Sequence, residues 1–119
     1  PQDKYMGENI LIHEFAHLIH MVGIAGVEPD FNDRLEALWK SAGEKGLWAG
    51  TYALSNKEEH FAECVQSFFN CNRYADPANG VHNSMNRRVK LKAYDPEMYK
   101  LLKEYFYEIE IPINNEIHK

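Results

Sequence analysis

The chain is short of basic residues: 13 Lys and Arg stand against 18 Asp and Glu, for a formal net charge of −5. It therefore lacks the clustered positive charge that a nucleic-acid or anionic-membrane surface uses, and neither partner is expected. Long apolar runs are missing as well. The longest, Ile10-Leu11-Ile12, falls far short of the roughly 20 residues that cross a bilayer. No signal-peptide pattern is present, and a chain that opens at Pro1 reads as a mature or trimmed piece of a longer parent chain. Cysteine is scarce, with only Cys64 and Cys71. On one continuous helix their Cα atoms would stand roughly 10 Å apart, beyond disulfide reach. They read either as half-buried thiols or as partners for cysteines elsewhere, and they do not fix the compartment. With no repeat, low-complexity stretch or linker, residues 1–119 read as one small domain or the C-terminal part of one.

What is present is ordinary globular composition, 45% hydrophobic and 26% charged, with patterning that is mainly helical. Residues 8–22 carry Ile12, Phe15, Ala16 and Ile19 at helical spacing, with Gly23 and Gly26 to stop the helix. Asp30 is placed to cap a second helix, 31–42, with Leu35, Leu38 and Trp39 on one face and Gly43 past its end. Residues 46–54 read as an irregular loop or short extended segment. Ser55 or Asn56 opens a third helix from Lys57 to about Phe69. A long polar loop over 70–87 follows, then Asp95-Pro96 starts a helix over 97–107. Ile109, Ile111 and Ile113 alternate around Pro112 as in an edge strand or extended arm. The expected fold class is mainly α, with little or no sheet.

His13-Glu14-Phe15-Ala16-His17 carries the strongest chemical signal. Four residues of α-helix turn about 400°, so both imidazoles point one way, stacked one turn apart, and can share one zinc ion. Glu14, about 100° round the helix, flanks that metal and can take a proton from water without ligating. Two chance histidines on an amphipathic helix would give the same five residues. A metzincin would place Gly at position 20 and His at 23, whereas the chain has His20 and Gly23. On a regular helix His20 lies about 10 Å up-axis from His13, too far to ligate the same ion. It could orient a ligand or substrate group, or be a plain packed histidine.

Farther on, Tyr52, Asn56 and Glu59-His60-Phe61-Ala62-Glu63 follow. With the first motif, this pattern over positions 7 to 70 resembles the gluzincin metallopeptidases, in particular the catalytic domains of the anthrax lethal factor type and the Pro-Pro endopeptidases. His60 departs from that pattern, standing where an aromatic residue is common. The resemblance implies that the mainly α chain is the helical lobe of an α+β zincin-like domain, and that it is a zinc metalloendopeptidase holding one Zn2+ per chain through His13, His17 and Glu59. Glu14 would be the general base, and Tyr52 would stabilise the oxyanion of the tetrahedral intermediate. Core packing beside Trp48 would equally account for Tyr52. Glu58 competes with Glu59 on spacing alone; the motif favours Glu59. Glu63, one turn on, suits a role accepting the outer N–H of a ligating histidine. His82, in the polar loop 79–88, is a candidate for the substrate wall or for a loop held by its own contacts. The expected partner is a peptide or protein substrate, together with the rest of a longer parent chain, and the expected location is secreted or extracellular. The alternative is a catalytically silent zinc-binding or interaction module that retains the site.

Overall fold

The structure, a computed structural model, describes residues 10–107. These form five helices and no strand; residues 109–113, expected as a strand or arm, lie outside the described part. Helix α1 runs Ile10–Val27, α2 Phe31–Glu44, α3 Lys57–Phe68, α4 Arg88–Tyr94 and α5 Pro96–Phe106. The protein is mainly α.

α3 is the centre of the fold. All of residues 60–68 are buried, the pattern of a helix covered on every side rather than an amphipathic one. α1, α2, α4 and α5 all pack against it. Its start is set by Asn56, whose side-chain oxygen accepts from the Glu59 N–H at 2.8 Å. This N-cap satisfies one of the orphan donors of the first turn. Its far end is closed by Arg88, whose Nε donates to the Phe68 carbonyl at 2.6 Å while its guanidinium lies 4.1 Å from the Phe68 ring centroid.

α1 departs from its sequence pattern in two ways. First, it does not stop at Gly23 or Gly26. The α-helical turn Ile10–Leu18 loosens into a π-helical segment, Ile19–Ile24, and closes with Ala25–Val27 before Glu28 becomes extended. A glycine in a helix costs roughly 1 kcal/mol; that is a penalty and not a barrier. Second, the face turned inward is His13, Ala16 and His20. Of the apolar set read from the sequence, only Ala16 is fully buried, Ile12 and Ile19 are half-buried and Phe15 is exposed. The polar face is inside because α3 offers it hydrogen-bonding partners.

Other boundaries shift for local reasons. α2 continues through Gly43 to Glu44, and Asp30 precedes it without making a side-chain cap bond. Residues Tyr52–Leu54 form a 3-10 turn, not an extended segment. α4 has only Leu91 fully buried, too weak a periodicity to be read in advance. Its first N–H is taken by the Asn70 side chain at 2.9 Å, a tertiary contact. Cys64 and Cys71 are both buried, the Cys71 thiol donates to the Gln66 carbonyl at 3.4 Å, and burial pushes the Cys64 thiol pKa up.

Asp95 ties three elements together. Its Oδ2 accepts from His60 Nε2 at 3.0 Å and from Trp48 Nε1 at 2.8 Å, and its Oδ1 accepts from the Met98 N–H at 3.3 Å to cap α5. Burial alone would push its carboxyl upward, but these hydrogen bonds and the His60 charge hold it below the ordinary Asp value. A depressed folded pKa means the stabilisation is present above the unfolded value and is lost as pH falls through the folded one. Asp95→Ala should therefore destabilise the fold by about 2–4 kcal/mol, one cap plus buried donors left unpaired. The variant should also lose most of the acid sensitivity below pH 4 that this carboxylate contributes. Urea melts of both proteins at pH 7 and pH 3.5 measure this, and an unchanged midpoint would contradict the assignment.

Candidate metal centre

α1 and α3 cross so that three donors converge. His13 Nε2 lies 2.9 Å from Glu59 Oε1, His17 Nε2 3.1 Å from Glu59 Oε2, and the two Nε2 atoms are 3.2 Å apart. Bonds of about 2.0–2.1 Å to one tetrahedral zinc place donor atoms about 3.3–3.4 Å from one another. The observed separations are within a few tenths of an ångström of that. Glu59 rather than Glu58 stands here because the Asn56 cap fixes the first turn of α3. The Glu58 carboxylate is turned instead to Lys57 Nζ, at 3.4 Å.

The outer nitrogen of His13 is held just as firmly. Nδ1 is 2.8 Å from Glu63 Oε2 and 2.7 Å from Gln66 Oε1. Two acceptors on one nitrogen require that Nδ1 carry the proton, which leaves Nε2 of the neutral ring as a bare lone pair facing His17 and Glu59. The tautomer is thus the one a metal ligand needs. Glu63 is steadied in turn by Asn72, whose Nδ2 lies 3.1 Å from the Glu63 carbonyl and 3.4 Å from its carboxylate. Gln66 was not singled out in the sequence, although 59, 63 and 66 follow the i, i+4, i+7 spacing of one helical stripe. Asn72 lies in a loop and carries no such signal.

Burial disfavours a charged His13, but the hydrogen bonds to Glu63 and Gln66 and the charges of Glu63 and Glu59 outweigh it. They raise the pKa from 6.5 to about 9. In the metal-free protein this pairing stabilises the fold fully below about pH 6.5, and that contribution is lost as pH rises through 9.

The remaining candidates are placed as follows. The Glu14 side chain is exposed on α1, one residue on from His13. Tyr52 lines a cleft of about 310 Å³ together with His13, Glu63, Arg73 and His82. Its N–H donates to the Val81 carbonyl at 2.9 Å, and Gly80 N–H donates to the Gly50 carbonyl at 2.8 Å, so the loop carrying His82 is clasped to the turn carrying Tyr52. His82 is buried, with Nε2 3.7 Å from Glu63 Oε1. His20 is drawn elsewhere. It packs 5.3 and 5.6 Å from the Phe31 and Phe61 ring centroids, with Nε2 2.6 Å from Asn32 Oδ1, in a core position up-axis of the donor cluster. His60, Cys64 and Asp95 form a second close group. Both Asp95 oxygens are already committed to N–H donors there, so that group is accounted for as a structural tie.

No protein-family profile matches the chain, and neither a characterised protein nor a solved structure matches it.

Two measurements test the donor set. Because His13 holds a proton up to about pH 9 and a ligating Nε2 must be bare, zinc binding at pH 7.5 should release close to one proton. Calorimetric titrations in buffers of different ionisation enthalpy read this directly, and zero release would refute it. In competition with a chromophoric chelator, His17→Ala and Glu59→Ala should each abolish tight zinc binding. Gln66→Leu should weaken it about 10–100-fold by freeing the His13 ring, and Glu58→Ala should change it little. Tight binding that survives both ligand substitutions would sink the assignment.

Proposed function

We propose that the protein is a zinc metalloendopeptidase. The observation that carries the reading is the convergence of His13 Nε2, His17 Nε2 and the Glu59 carboxylate at tetrahedral-edge spacing. The likeness of His13-Glu14-Phe15-Ala16-His17, Tyr52 and Asn56-x-x-Glu59 to the gluzincins supports it independently. Among the described residues this group numbers three donors. Three ligands and an open fourth position are the signature of a catalytic site, whereas structural zinc sites close with four.

His13, His17 and Glu59 would hold a zinc ion, which would supply the Lewis acidity that acidifies a water and polarises a carbonyl. The chain's own residues do the rest. Glu63 and Gln66 pin the His13 ring so that its Nε2 lone pair is presented without rotation. The exposed carboxylate of Glu14 accepts a proton from the attacking water and returns it to the leaving amine. The Tyr52 phenol, which lines the cleft, donates a hydrogen bond to the substrate oxygen as it gains charge. The Asn79–His82 loop, tied to the Tyr52 turn, lines the same cleft and would lie along a bound peptide.

Glu14→Gln should retain zinc and lose nearly all turnover, since it removes proton transfer while leaving every ligand. Tyr52→Phe should retain zinc and lose about 10²–10³ in kcat, the usual value of one oxyanion donor. Cleavage of a degenerate peptide library by the zinc-loaded protein and its variants checks both. Undiminished cleavage by Glu14→Gln would overturn the mechanism. Stoichiometric zinc with no cleavage by the wild-type chain would favour a silent binding module.

A further inference from the structure

The cleft beside the donor cluster holds a charge that the hydrolytic chemistry does not use. Among the described residues that line it, Arg73 is the one that stays cationic at every working pH. Arg73 is half-buried, and its main chain is fixed to the helix that carries Glu59 and Glu63. Its N–H donates to Asn72 Oδ1 at 2.8 Å. Asn72 Nδ2 in turn donates to the Glu63 carbonyl and to Ser67 Oγ, each at 3.1 Å. Two residues on, the Ala75 N–H donates to the Asn83 carbonyl at 2.9 Å. The Arg73 segment is thereby joined to the loop that carries His82 as well. The fixed anion of the cleft, Glu63, is otherwise engaged. It is buried, with carboxylate oxygens 2.8 Å from His13 Nδ1, 3.4 Å from Asn72 Nδ2 and 3.7 Å from His82 Nε2.

We infer that Arg73 sets substrate preference, pairing with a carboxylate that the peptide carries within about two or three residues of the scissile bond. This rests on the metallopeptidase reading of the site. The distance limit comes from the cleft itself. A compact volume of about 310 Å³ is about 8 Å across, and extended chain covers about 3.3–3.6 Å per residue. His13 lines the same volume, so a peptide whose carbonyl lies at the donor cluster meets Arg73 within that span. A guanidinium matches a carboxylate with two parallel N–H···O bonds, and a partly dried cleft strengthens the pair over its value in water. The carboxylate is that of an Asp or Glu side chain, or the C-terminus of the peptide. Asn or Gln in the same place has the shape without the charge, so an acid–amide pair of peptides isolates the contact.

The test titrates the zinc-loaded Glu14→Gln protein, in which turnover is suppressed, with acetylated six-residue alanine peptides. Each carries Glu or Gln at one position, with a free or an amidated C-terminus, and binding is read by calorimetry. The expected result is a carboxylate preference of about tenfold, the worth of a hydrogen bond to a charged group. A preference at one Glu position in amidated peptides identifies an acidic side chain; a preference for the free C-terminus alone identifies the terminal carboxylate. Adding Arg73→Gln should bring that ratio to within twofold of one. Arg73→Lys should keep part of it, because the charge remains without the fork. With Glu14 restored, the same ratio should appear in kcat/KM, through KM rather than kcat. No carboxylate preference in any peptide, or a preference that survives Arg73→Gln, would overturn the inference. A preference that Arg73→Gln removes, in a chain that with Glu14 intact cleaves no peptide, would uphold Arg73 and overturn the peptidase reading instead.

Discussion

The geometry of the site depends on one imidazole being gripped from both sides. His13 is buried between its own helix and α3, with Nδ1 donating to Glu63 and Gln66 and Nε2 facing Glu59 and His17. Every acceptor in that grip comes from one stripe of α3. The relative rotation of α1 and α3 is therefore specified chiefly by polar contacts, with Ala16 and the His20–Phe61 ring pair packed beside them. Burial of unpartnered polar groups costs several kcal/mol. Any rotation of α1 that brought Phe15 or Leu18 inward would strand Glu59, Glu63 and Gln66 without partners, and the inverted helix is the lower-energy arrangement.

The same contacts explain why the site calls for a cation. Two carboxylates, Glu59 and Glu63, stand within 3 Å of His13 in a largely buried setting. Like charges brought together out of water must be neutralised by a proton, a metal or separation. In the metal-free protein the proton on His13 serves that purpose, which is why its pKa is raised despite burial. A divalent ion in the Nε2 and Oε pocket would do so more completely, while Glu63 keeps its hydrogen bond to Nδ1–H. Proton and metal are thus alternative occupants of one electrostatic position.

How far the chain could be read in advance follows from the range of the interactions involved. The His13–His17 pair was legible because four residues of helix return to the same face, a purely local rule. Glu59 was favoured over Glu58 by the resemblance to the gluzincin motif and not by spacing; the Asn56 cap that turns it inward was one of two possible helix starts, Ser55 or Asn56. α5 was legible from Asp95-Pro96, a local start signal that the structure uses. The buried face of α1 was not. Hydrophobic periodicity assumes that apolar residues go inside, and here the inward face is chosen by partners on α3, more than 40 residues away. α4 was missed for the same reason, as its start is set by Asn70 and its hold on the core comes from Arg88 reaching the end of α3. Gln66 was within reach of the stripe rule. Asn72 and the reach of Asp95 to His60 and Trp48 were not, because a loop or a cap gives no period from which a distant partner can be inferred.

The inversion of α1 carries a structural consequence beyond the site. A helix whose polar side is committed to a partner has its apolar side left over, and the seven outward hydrophobic side chains from Ile10 to Val27 are that remainder. His13 and His17 lie in the first half of α1, away from the Glu28 corner where α5 braces its far end, so the spacing of the histidine pair rests on the contacts with α3. The physics that turns the inner face polar is the same that leaves the outer face apolar.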